Sequence, residues 1–137
     1  MKAQSLIFEQ VMLFAVGIIL FIICLAIFTI YQNHYRSVGL DDKLDELKEW
    51  IASNIIKVAE NGENVNITIS LKIPRTIENE AYIIRLDSNG LNITTRKKSK
   101  FSSLYNLNKS FELGGKRIIS TEGGFIIYKK ENKIILT

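Results

Sequence analysis

One histidine and one cysteine are present in the 137 residues, so hydrolytic or thiol chemistry would have to start from His34, from Cys24 or from carboxylates. A catalytic triad needs a base within hydrogen-bond reach of a nucleophile and a third group to orient the base. His34 follows the end of a long apolar run and Cys24 lies inside it. The first therefore reads as a polar residue at an interface and the second as a small packing residue. A single cysteine forms neither an intramolecular disulfide nor a cysteine-based zinc cluster. Glu78 and Glu80, in alternate positions, read as solvated charges rather than an acid–base pair. Gly114-Gly115 and Gly123-Gly124 lack the Lys-Ser or Lys-Thr and the following helix that a phosphate-binding loop requires. The expectation is a protein that is not an enzyme, with no cofactor and no metal.

Charge offers binding chemistry instead. The net charge is +4, but residues 41–60 hold six acids against three lysines, whereas residues 96–133 hold ten Lys or Arg against three Glu. The densest basic cluster, Arg96, Lys97, Lys98 and Lys100, is a candidate patch for anionic surface polymers or DNA, together with Lys129, Lys130 and Lys133. Base stacking would also need exposed aromatics, and Phe101 and Tyr105 are expected in the core. The basic end is alternatively suited to the acidic segment of a neighbouring copy, or to plain solvation. Three sequons place Asn66, Asn92 and Asn108 as candidate glycosylation sites, all on expected polar strand faces or in a turn.

The element that must position everything else is the unbroken apolar run from Val11 to Ile30. Twenty residues at about 1.5 Å each span roughly 30 Å, the thickness of a bilayer's hydrocarbon core. Its only hydroxyl, Thr29, can bond within the helix. The run is longer than a secretory signal core and no small-x-small site closes it, so the helix is expected to remain in the mature protein. Tyr31 to Arg36 then suit the headgroup layer. Glu9 lies just before the apolar core with no cation within helical reach. A buried carboxylate without a partner is costly, so Glu9 must stay among headgroups or find a cation on another molecule.

The opening stretch KAQSLIFEQVML, with a very short basic leader, a hydrophobic helix directly after it and Glu9 near the helix start, resembles the N-terminus of archaeal type IV pilin-like precursors. That resemblance implies a leader formed by Lys2 and Ala3, removed by a prepilin peptidase before Gln4 or before Ser5. The first cut makes Glu9 the sixth mature residue and the second makes it the fifth. It also implies that Glu9 meets the new N-terminal amine of an adjacent subunit. The partners would be copies of the chain or other pilin-like subunits in a surface filament, of the kind used in cell adhesion. The C-terminal domain would lie outside the cell, on a single-pass membrane helix until assembly. The different reading, without polymerisation, is a membrane-anchored extracellular binding module.

After Ser37-Val38-Gly39, expected as a bend, Asp41 or Asp42 is placed to cap a second helix. Leu44, Leu47, Ile51, Ile55 and Val58 recur at spacings of three and four, the stripe of an amphipathic helix that Asn61-Gly62 would stop. From Val65 to Ile73 the period changes to two, which predicts a strand with one buried face, ended by Pro74. Tyr82–Asp87 and Leu91–Arg96 read as a hairpin, with Asn89-Gly90 supplying positive φ at its turn. Further hairpins are expected through Gly114-Gly115, Gly123-Gly124 and Glu131-Asn132. The fold class is thus α+β, with segments 1–36 (leader and hydrophobic helix), 37–62 (bend and amphipathic helix) and 63–137 (an antiparallel sheet or small sandwich of about seven strands).

Overall fold

The computed structural model describes residues 2–61 and 65–137, with side chains from Gln4 onward. Gly62 of the expected helix stop, and the side chains of the expected leader residues Lys2 and Ala3, lie outside the described residues. The chain divides into two compact units, one reaching to Val38 and one spanning Gly39–Thr137. In the first, α1 (Lys2–Glu60) carries the apolar run, and its large apolar side chains from Leu6 to Ile30 are exposed. Thr29 Oγ1 donates to the Leu25 carbonyl at 2.9 Å, one turn back along the helix. This helix is long and apolar enough to cross a membrane.

The expected bend and separate second helix are not seen: α1 continues through Ser37-Val38-Gly39 to Glu60. A helix-interior glycine costs only about 1 kcal/mol relative to alanine. The residues after it regain more, because Leu40 and Leu44 are buried, each contributing roughly 1.5–3 kcal/mol. Asp41, expected as a cap, instead lies within the helix and pairs with lysines of the β domain. The stripe itself is as expected. Leu44, Leu47, Ile51, Ile55 and Val58 are all buried in one core with the strands.

Eight strands follow among the described residues: β1 (Ile67–Lys72), β2 (Ile83–Asp87), β3 (Gly90–Thr94), β4 (Ser99–Ser102), β5 (Glu112–Gly115), β6 (Ile118–Ile119), β7 (Gly124–Lys130) and β8 (Lys133–Leu136). They form two four-stranded sheets, ordered β1-β7-β8-β5 and β4-β3-β2-β6. The β2–β3 and β7–β8 hairpins are those expected. The hairpins through the two glycine pairs are not. β5 runs parallel to β8, and β6 pairs with β2 rather than with β5 or β7, so the first sheet is mixed.

Close approach, not turning, explains one glycine pair. A Cβ on Gly115, whose φ is +155°, would sit 2.4 Å from the Leu136 carbonyl oxygen. Only glycine lets β5 lie this near β8. The β2–β3 turn also differs from expectation. Its two loop residues are Ser88 and Asn89, and Asn89 has no positive φ. Asp87 Oδ1 organises the turn by accepting from the Asn89 amide at 2.9 Å and the Gly90 amide at 3.3 Å.

Ser120 and Tyr82 carry their polar groups into the core with partners. Ser120, fully buried, donates through Oγ to the Arg75 carbonyl at 2.7 Å and accepts from the Tyr82 amide at 3.0 Å. The Tyr82 hydroxyl donates to the Pro74 carbonyl at 2.5 Å, and burial pushes its pKa up to about 12.

Candidate functional site

In the helix, Gln4, Ser5 and Glu9 are exposed. Cys24 is exposed as well, among apolar neighbours along the run. His34 stacks edge-on against Tyr35, with ring centroids 6.4 Å apart, as an ordinary aromatic contact. What this surface can do is apolar association, with lipid or with other helices, and it offers one carboxylate near its start.

The basic cluster is drawn into the β domain's own electrostatics. Lys100, on β4, reaches Asp45 Oδ2 at 2.6 Å and Asp41 Oδ1 at 3.0 Å, both on α1. Lys98 lies 3.4 Å from Asp41, Lys48 lies 2.9 Å from Asp45, and Lys97 reaches Glu80 at 2.6 Å. Hydrogen bonds from Lys100 are the largest cause that lowers the Asp41 and Asp45 pKa values. The bond to Asp45 is, in turn, the largest that raises those of Lys100 and Lys48. Of the four patch residues, Arg96 is the one left with no ion pair among the described residues. The acidic segment of α1 therefore meets the basic segment of its own chain.

Lys129 is not a surface cation either. It is fully buried and donates to the Ala59 carbonyl at 3.0 Å. Strand parity accounts for this, because Lys129 shares the inward face of β7 with Phe125 and Ile127.

The sequon asparagines are placed differently from one another. Asn66 is exposed ahead of β1. Asn92 is half-buried on β3, with Oδ1 accepting from Ser99 Oγ at 2.9 Å and Thr94 Oγ1 at 3.3 Å. Asn108 is exposed, and its Nδ2 donates to the Ser88 carbonyl at 3.0 Å.

Three aromatics form surface features, two of them at positions expected in the core. Phe101 and Tyr105, expected in the core, are 53 % and 79 % exposed. Phe101 points away from α1 because its neighbour Lys100 points toward it, and side chains alternate along a strand. Trp50, 42 % exposed, lines an open groove of about 560 Å³ with Leu47, Pro74 and Ile77. One wall is a tight turn in which Ile77 and Glu80 exchange two backbone hydrogen bonds of 2.9 Å. Its central residues Glu78 and Asn79 have positive φ, and Glu78 pairs with Lys43 at the groove's edge. A tryptophan next to the apolar stripe of α1 was the available signal for this groove. No family model, curated protein or solved structure matches this chain.

Proposed function

We propose that the chain is a structural subunit of an archaeal type IV pilus-like surface filament, assembled through its N-terminal helix and displaying the β domain outside the cell. The observation that carries this reading is α1 itself. One continuous helix bears an uncovered apolar surface with Glu9 at its start, and its last turns belong to the core of a β domain. An anchor alone needs only about 20 apolar residues and no carboxylate at its head. In a helix bundle the same apolar surface is covered by neighbouring copies, and Glu9 gains a cation from an adjacent N-terminus.

In this reading a prepilin peptidase removes Lys2 and Ala3, and the helix is a single-pass membrane segment until assembly. Self-association needs no anionic ligand, which agrees with the basic cluster being occupied within the chain. The Trp50 groove is what a non-polymerising binding module would use instead. Shearing surface filaments from cells and measuring the intact mass of this chain separates the two. The expected result is a filament fraction containing the chain without its leader. Full-length protein found only in the membrane overturns the proposal.

A further inference from the structure

The sheet β4-β3-β2-β6 turns one face to the core and leaves the other open. Burial alternates along β2 and β3, with Ile84, Leu86, Leu91 and Ile93 inward, so Arg85 and Asn92 point outward. Arg85 pairs with Asn92 and Asn92 pairs with Phe101, which sets the three side chains in one row across the sheet. On the other side of β2, Ile84 pairs with Ile118, and extending that register by one residue brings the exposed Arg117 beside Arg85. The row from Arg117 to Phe101 covers three inter-strand spacings of about 4.8 Å, roughly 14 Å in all. Arg96, two positions past Thr94, keeps the outward parity of β3 and is exposed at the margin of the face.

The charge of this face is not neutralised by the chain itself. Arg85, Arg96 and Arg117 are in no ion pair among the described residues, whereas Lys97, Lys98 and Lys100 are engaged by Glu80, Asp41 and Asp45. Of the residues that the four strands direct outward, Asp87 is the only acid, and its Oδ1 is held by the Asn89 and Gly90 amides. Guanidinium groups spread over one face suit a ligand with repeated negative charge, such as a phosphate backbone. Phe101 narrows the choice. Its ring, 53 % exposed at the end of the row, is a platform on which a base can stack, and guanidinium planes stack on bases as well. Asn92 is fixed between them, because its Oδ1 accepts from Ser99 and Thr94 while its Nδ2 makes no bond among the described residues and remains a donor for a base oxygen. A flat sheet face reaches the flat faces of unpaired bases rather than the edges inside a duplex groove.

We propose that this sheet face binds single-stranded nucleic acid, with Arg85, Arg96 and Arg117 on phosphates and Phe101 stacked on a base. The site lies apart from the apolar helix surface, so it stands whether or not the chain polymerises. The test titrates the full-length, unglycosylated chain in neutral detergent into a labelled oligothymidylate of about twelve nucleotides, within the usual site size for single strands, and reads fluorescence anisotropy. The expected result is saturable binding that weakens with salt, with a slope of log affinity against log salt of about −2 for three phosphate contacts. Arg85→Gln should weaken binding and reduce that slope by roughly 0.7. Phe101→Ala should weaken binding about fivefold or more and leave the slope unchanged, because stacking releases no counterions. Lys130→Gln removes an equal charge from an exposed position on the other sheet and should leave the affinity nearly unchanged. Absence of saturable binding at low salt overturns the proposal. Equal losses from Arg85→Gln and Lys130→Gln overturn it too, since net charge alone would then be the cause. Full affinity in Phe101→Ala, with heparin displacing the oligonucleotide equally from both chains, assigns the face to acidic polysaccharide and overturns the nucleic-acid reading.

Discussion

The ammonium of Lys129, on β7, donates a 3.0 Å hydrogen bond to the carbonyl of Ala59, one residue before α1 ends. The last carbonyls of a helix have no intrahelical partner and carry the negative end of its dipole. Lys129 satisfies one of them from inside the core, with its Nζ 5.0 Å from the centre of the Phe111 ring. A buried cation here ties the end of the helix to the middle of a sheet. Lys129→Met keeps most of the apolar stem but removes the donor, and it should cost about 1–3 kcal/mol. Denaturant unfolding measures the loss, and amide exchange should quicken first at residues 57–60. Unchanged stability would mean that the bond carries no weight.

The cluster around Lys100 predicts a particular pH dependence. Asp41 and Asp45 have folded pKa values below the ordinary carboxylate value of 3.8. Their contribution is therefore present above about pH 4 and is lost as pH falls through the lowered values. Lys48 and Lys100 have values raised above 10.5, so their contribution is complete below that pH and is lost as pH climbs through the raised values. Between the two limits this cluster gives stability without a slope. Asp45→Asn should flatten the acid limb of a melting-temperature profile and weaken the alkaline limb with it, because the bond to Asp45 is the largest cause that raises Lys48 and Lys100. High salt should reduce the difference at neutral pH, because the pairs are partly exposed and screened. An acid limb of the same steepness in the variant would assign acid loss to other carboxylates.

Gly90 tests how the β2–β3 hairpin is built. A Cβ there would lie 2.1 Å from the Ser102 carbonyl oxygen, and φ is +146°. Both the contact and the backbone angle exclude a β-branched residue. Gly90→Val should cost about 2 kcal/mol or more, since the clash is with the backbone of β4 and no side chain can move aside. Asn89→Ala should be mild by comparison, because Asp87 rather than Asn89 organises the turn. Equal effects of the two substitutions would restore the Asn-Gly turn.

These cases show what the amino-acid pattern carries and what it does not. The apolar stripe of α1 and the alternation in β1 were readable because each is a one-dimensional record of burial, period 3.6 and then period two. The continuity of α1 through Gly39 was not, since the helix is held by tertiary burial of Leu40 and Leu44 rather than by local propensity. Gly115 was misread as a turn because the sequence does not distinguish a glycine that bends from one that lets strands approach. β4 escaped notice for a related reason: Lys100 takes an inward position by reaching carboxylates on α1, so no apolar alternation marks the strand. Among site residues, Glu9 was visible as a lone charge beside an apolar run. Trp50 and Tyr105 were hidden within segments that otherwise read as core.

Glu9 carries the prediction that most directly opposes the two functional readings. It is exposed on α1, just ahead of the apolar run. If neighbouring helices cover that run, the carboxylate leaves water and requires a cation, and the N-terminal amine of an adjacent mature subunit is the one the assembly supplies. Breaking one partner of a buried pair typically costs about 3–5 kcal/mol, enough to abolish incorporation at each addition step. In a lone anchor, Glu9 stays among headgroups, and its neutralisation makes insertion slightly easier. Glu9→Ala should therefore leave membrane insertion and leader removal intact while eliminating the chain from sheared filaments. Glu9→Gln should fail likewise, which separates charge from size. A Glu9→Ala chain that enters filaments as well as the wild type would remove the electrostatic basis of assembly and make the binding-module reading the better one.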